Sequence, residues 1–154
     1  MSKIFGIGFH RTGTTSLRDA LRMLGYKCGR HSPYLYPELR QGDFTSTFEV
    51  VRRYDAFQDM PWPLIYKELD AAFPGSKFVL TKRDSNSWLN SITRVAGKTG
   101  IPNCEDIYGK NVSPFPQDNP GVFVNRFEKH NKDVLAYFKN RPRDLLTLDL
   151  GEDN

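Results

Sequence analysis

Behind a short apolar run at 3–7, Gly8-Phe9-His10-Arg11-Thr12-Gly13-Thr14-Thr15-Ser16-Leu17 combines two glycines with an arginine and four hydroxyls. A glycine-bearing turn between a strand and a helix N-terminus makes an anion cradle. Its amides point inward and the helix dipole adds partial positive charge. The spacing Gly8-x-x-x-x-Gly13 is that of G-x-x-x-x-G-K-[ST], the loop that holds nucleoside triphosphates, with Thr14 at the lysine position. That lysine neutralises the β- and γ-phosphates. Without it, Arg11, Thr12, Thr14, Thr15 and Ser16 suit one compact phosphate, and a bare turn needs no such density of hydroxyls.

Two further groups of residues lie downstream. Arg83 directly follows the clearest buried strand, predicted at 77–81, and Ser91 stands eight positions later, about two turns into a predicted helix. In an open α/β sheet, ligands bind beyond the carboxyl ends of the strands, and the planar guanidinium fork of an arginine suits phosphate. The third group is Asp59-Met60-Pro61, a turn at the end of a short strand over 55–59. The cysteines, Cys28 and Cys104, have neither CxxC spacing nor a paired histidine, so no metal site is expected.

The elements that must position these groups alternate along the chain. A strand at 3–7 leads to a helix from Thr14 with Leu17, Ala20, Leu21 and Leu24 on one face. A loop containing Arg30, His31, Tyr34 and Tyr36 follows, then a helix over 44–54 with Asp43 as N-cap. Helices over 64–73, 85–96 and 122–140 and a last strand over 145–150 complete the pattern. Positions 97–121, rich in Pro and Gly, read as a loop without regular structure, a lid or acceptor loop. Alternating strands and helices predict one α/β domain over 1–154: three layers around a parallel sheet of four or five strands.

Among 154 residues, 38% are hydrophobic, and no apolar run approaches the ~20 residues of a membrane span. The chain enters a strand at once, without the pattern of a secretory leader, and two cysteines make no disulfide framework. The expectation is a reduced, cytoplasmic protein. A net charge of +4 favours anionic ligands, while the dispersal of Lys and Arg among acidic residues argues against nucleic acid. Assembly of identical chains is left open.

The stretch His10-Arg11-Thr12-Gly13-Thr14-Thr15-Ser16-Leu17 resembles the 5′-phosphosulfate loop of sulfotransferases that use 3′-phosphoadenosine 5′-phosphosulfate (PAPS). The likeness extends over nearly the whole chain and implies the P-loop-like sulfotransferase fold. It also implies sulfuryl transfer from PAPS to a small-molecule, glycan or lipid acceptor through a hydroxyl or amine, releasing 3′,5′-bisphosphate (PAP), with no metal. It assigns the 5′-phosphate to Gly13, Thr14, Thr15 and Ser16, and the sulfuryl end to Arg11 and Thr12, with His10 within reach. The 3′-phosphate falls to Arg83 and Ser91. Asp59 takes the base position of a branch with an acidic residue there, 24 positions ahead of Arg83; the lysine common two residues earlier is Phe57 here. Two other roles stay open for Asp59, capping the following helix or pairing with Arg11. The resemblance also predicts that the family's C-terminal segment is lacking. The alternatives are a kinase or NTPase, with 145–149 as the Mg²⁺ strand, and a non-catalytic PAP-binding domain.

Overall fold

The computed structural model describes residues 2–151 and centres on a four-stranded parallel sheet, ordered β2-β1-β3-β4. The strands are β1 (Ile4–Gly6), β2 (Ala56–Phe57), β3 (Lys77–Lys82) and β4 (Leu145–Asp149). The helices are α1 (Thr14–Met23), α2 (Tyr36–Leu39), α3 (Thr45–Arg53), α4 (Tyr66–Ala72), α5 (Ser85–Ala96), α6 (Cys104–Tyr108) and α7 (Pro120–Tyr137). From β1 the chain builds outward to β2 on one side, then returns to β3 and β4 on the other. The order therefore reverses between β1 and β3, which opens a crevice at their carboxyl ends.

Side chains alternate across a strand, so Phe5 and Ile7 face one side and Ile4 and Gly6 the other. Register pairs Phe5 with both Phe57 and Phe78, and the three rings stack across the sheet with centroids 5.5 Å apart in each pair. They anchor the main core with Val51 of α3, Leu69 of α4 and Val134 of α7. A second cluster joins Phe9, Trp88 and Ile92 to Phe123 and Phe127. The opposite face is thinner, with Leu21, Cys28 and Ala56 as its buried cluster. Gly6 lets α1 lie directly on β1, since a Cβ there would come 2.7 Å from Leu17 Cδ2.

Three details depart from the sequence-based expectation. Leu24, predicted to face the core, is 74% exposed beside an open apolar groove between α1 and β4, because no element among the described residues covers the end of that helix. Val95 and Leu135 are also exposed. The 97–121 segment is not structureless: α6 buries Cys104, Ile107 and Tyr108 against α7, and Arg126 Nε donates to the Ile107 carbonyl at 2.8 Å. The loop after Gly29 likewise folds into a 3-10 turn (Pro33–Leu35) and α2. Among the described residues no helix is long and apolar enough to cross a membrane. The predicted ending at Glu152, Asp153 and Asn154 lies outside the described residues.

Candidate functional site

The phosphate loop leaves β1 at the point where the strand order reverses. Gly8 is required there: a Cβ would lie 2.1 Å from Thr81 Oγ1 and 2.4 Å from the Thr81 carbonyl oxygen. Gly13 has φ 84° and turns the chain into α1 without a side-chain cap, leaving the first helical amides directed at the cleft. Arg11 has φ 62°, a left-handed conformation uncommon for a residue with a side chain.

The loop side chains divide into two groups. Thr14, Thr15 and Ser16 line a cavity of about 340 Å³ together with Arg11, Asp59 and Arg83. His10 also lines this cavity, whereas Thr12 turns the other way. Thr12 is fully buried, and its hydroxyl donates to the Phe9 carbonyl at 2.5 Å. Its one proton thus used, Thr12 must accept from the Thr81 hydroxyl, 2.7 Å away. The side chain of Thr12, a residue expected at the sulfuryl end, thus fastens the loop to β3.

His10, the other catalytic candidate in the loop, is held by partners from distant elements. Its ring lies between Trp88 and Tyr108, its Nε2 shares a 2.5 Å hydrogen bond with the Tyr108 hydroxyl, and its carbonyl accepts from Trp88 Nε1 at 2.9 Å. Burial lowers its pKa to about 4, with Asp59 opposing the shift and Arg11 adding to it, so the imidazole is neutral near pH 7. Burial likewise pushes the Tyr108 phenol up. His130 sits beneath the loop and donates from Nε2 to the Ile7 carbonyl at 2.6 Å, and burial also brings its pKa to about 4.

Arg83 and Ser91, predicted to act together, both converge on Arg11. Arg83 Nη1 donates to the Arg11 carbonyl at 3.1 Å, and Arg11 Nε donates to Ser91 Oγ at 3.0 Å. Ser91 is buried and faces Arg11, whereas Arg83 lines the cavity. Asp59 also has a left-handed φ, 69°, ahead of the cis Met60–Pro61 peptide bond. Its Oδ1 accepts from the Met60 amide at 2.8 Å, and the 3-10 turn that follows has no side-chain cap, so Asp59 is not a helix cap.

Asp59, Thr14 and Thr15 also line a second cavity of about 250 Å³, which continues along α1 past Arg18 and Arg22 to Arg30 and His31. Of the loop residues expected near an acceptor, Arg30 and His31 reach this cavity; Tyr34 points to solvent and Tyr36 is buried. Arg18, Arg22, Gln58, Thr81 and Tyr108 were not predicted. Arg18 and Arg22 carried a signal, since they follow Thr14 at intervals of four and share its helix face.

A family model described as a sulfotransferase domain matches residues 3–153. The Ava biosynthesis cluster protein M of Aspergillus versicolor is 30% identical over 115 residues, a match covering 58% of this chain. The match covers 41% of that relative, less than half its length.

Proposed function

The chain belongs to the sulfotransferase domain family, and from that premise we propose that its cleft takes PAPS and directs a sulfuryl group to a hydroxyl or amine acceptor, with PAP as the second product. PAPS supplies an activated sulfuryl group whose bond to the bridging oxygen breaks as the bond to the acceptor forms. The amides at the start of α1 and the hydroxyls of Thr14, Thr15 and Ser16 hold the 5′-phosphate. The Arg11 guanidinium, oriented by Ser91, meets the bridging oxygen where negative charge grows. Arg83 grips the 3′-phosphate with its fork, and Asp59 takes the acceptor's proton. Neutral His10 keeps the loop in place through Tyr108 and Trp88.

The observation that carries this reading is the meeting of Arg83 with Arg11 in one cavity beside the loop hydroxyls. Two guanidinium groups arrive from neighbouring strands, and no lysine is present in the loop. That suits two separate single phosphates better than one triphosphate. Calorimetry with PAP, adenosine 5′-phosphate and ATP·Mg²⁺ tests it. PAP binds tightest, and Arg83→Ala weakens PAP by roughly 10- to 150-fold, the range for a lost charge-assisted hydrogen bond, with little change for adenosine 5′-phosphate. Ser91→Ala acts through Arg11 at the 5′ end instead, and weakens PAP and adenosine 5′-phosphate alike, by roughly 2- to 12-fold. ATP·Mg²⁺ binding as tightly as PAP would instead make this a triphosphate site.

A further inference from the structure

The second cavity carries information about the acceptor. Arg18, Arg22 and Arg30 line it, and among the described residues Asp59 is its one carboxylate. Arg18 pairs with its neighbour Asp19 at 3.1 Å, a solvent-exposed contact that neutralises little. Arg22 has no ion pair among the described residues. Burial raises the Cys28 thiol pKa while Arg22 and Arg18 pull it back, as expected of two guanidinium groups beside it.

The wall opposite α1 is held by the backbone. Residue 28 bridges to Ala56 of β2, and the Gly29 amide donates to the Ala56 carbonyl at 2.8 Å. A Cβ at Gly29 would meet the Phe57 ring at 2.6 Å, so this approach depends on glycine. The His31 ring then contacts the Met60 carbonyl at 3.2 Å, which places Arg30 beside the Asp59 turn. Between the two walls lies Gln58, 8% exposed, whose Oε1 has no hydrogen-bond partner among the described residues.

We propose that the acceptor is an anion: a hydroxyl compound that also carries a carboxylate, held by Arg18, Arg22 and Arg30 with its hydroxyl turned to Asp59. This rests on the sulfotransferase reading above. The helix sets the geometry: Arg18 and Arg22 lie roughly 6 and 12 Å along α1 from Thr14, at 1.5 Å rise per residue. The carboxylate and the reacting hydroxyl therefore belong at opposite ends of a short molecule. The arginines lie beyond Asp59, on the side away from Arg83, and are not needed for the donor's phosphates.

The test uses the full chain saturated with PAP, titrated by calorimetry with 4-hydroxyphenylacetate and with its neutral amide, 4-hydroxyphenylacetamide. The acid is expected to bind at least about tenfold more tightly, the lower bound for a charge-assisted contact. Replacing all three arginines with glutamine removes that preference, and the single changes Arg22→Gln and Arg30→Gln each remove part of it. PAP affinity is unchanged throughout, which also shows that the variants are folded. Equal binding of acid and amide, or no binding of either, overturns the proposal. A fall in PAP affinity in the single variants overturns it as well, because the arginines would then serve the donor. Failure of the unaltered protein to bind PAP is a separate result, and it removes the sulfotransferase reading on which this one rests.

Discussion

At the phosphate-loop end of the cleft, His10, Arg11 and Thr12 each hydrogen-bond a residue at least 69 positions away in the chain. At the basic end, Arg18 contacts the residue next to it, and Arg22 and Arg30 line the cavity from exposed positions. The difference follows from what each end has to do. A group that meets charge developing on one atom must be preorganised, and contacts from distant, well-packed elements do that. A group that selects a ligand by its charge can adapt, and a long arginine side chain adapts readily. Asp59 belongs to both ends, and the left-handed backbone there holds it at the join.

The largest effect is expected at that join. Asp59→Asn keeps the shape but cannot take a proton, and turnover measured by PAP release should drop roughly 10²- to 10⁴-fold. PAP affinity should hold. A variant that keeps its turnover per folded molecule places the base elsewhere.

Acid should undo the rigid end. The two histidines that hold the loop titrate near pH 4 when folded, against an ordinary value of 6.5. Between those pH values the unfolded chain binds more protons than the folded one, so stability is full above about 6.5 and falls as pH drops toward 4. For buried His130 the loss is on the order of 3 kcal/mol across that window. Urea midpoints at pH 7 and pH 4.5 measure it, and His130→Gln, which keeps a donor for the Ile7 carbonyl, should flatten the slope. An unchanged slope in that variant assigns the acid sensitivity to other groups.

A smaller effect sharpens the contrast. Thr12→Val leaves the Thr81 hydroxyl and the Phe9 carbonyl without their partner and should cost about 1–3 kcal/mol in urea unfolding. Thr12→Val with Thr81→Val should cost less than the sum of the two. Arg22→Gln at the other end should stay within about 0.5 kcal/mol. Equal costs at the two ends would show that the loop is no more tightly held than the basic wall.

The sequence was most legible where local rules and tertiary packing agree. Helix α5 begins and ends as predicted because Asp84 accepts from the Ser87 amide at its N-terminus and Trp88 and Ile92 repeat at helical spacing. Helix α6 was invisible: five residues offer too little periodicity, and its burial depends on α7. The same limit applies to the site. Loop residues were readable as a phosphate cradle from type and spacing, but the directions of neighbouring side chains depend on distant partners. Nothing local in His10-Arg11-Thr12 says that Thr12 turns inward while His10 and Arg11 stay at the cleft. Nor does periodicity say whether an apolar helix face will be covered, as Leu24 and Leu135 show.

Placing the loop strand inside the sheet, with partners on both sides that come later in the chain, has a consequence for how the protein is made. Ile7 is synthesised 123 residues before His130, the donor that holds its carbonyl. At the usual rates of synthesis that interval lasts roughly 6–25 s. Phe5 can meet Phe57 and Phe78 sooner, but a nascent chain stopped before Thr81 lacks the strand on which the loop closes. The phosphate loop, made well ahead of the strand and helix that hold it, is thus among the last parts to take shape. For this stretch the time spent waiting for partners, more than its own conformational preferences, governs exposure to chaperones and proteases.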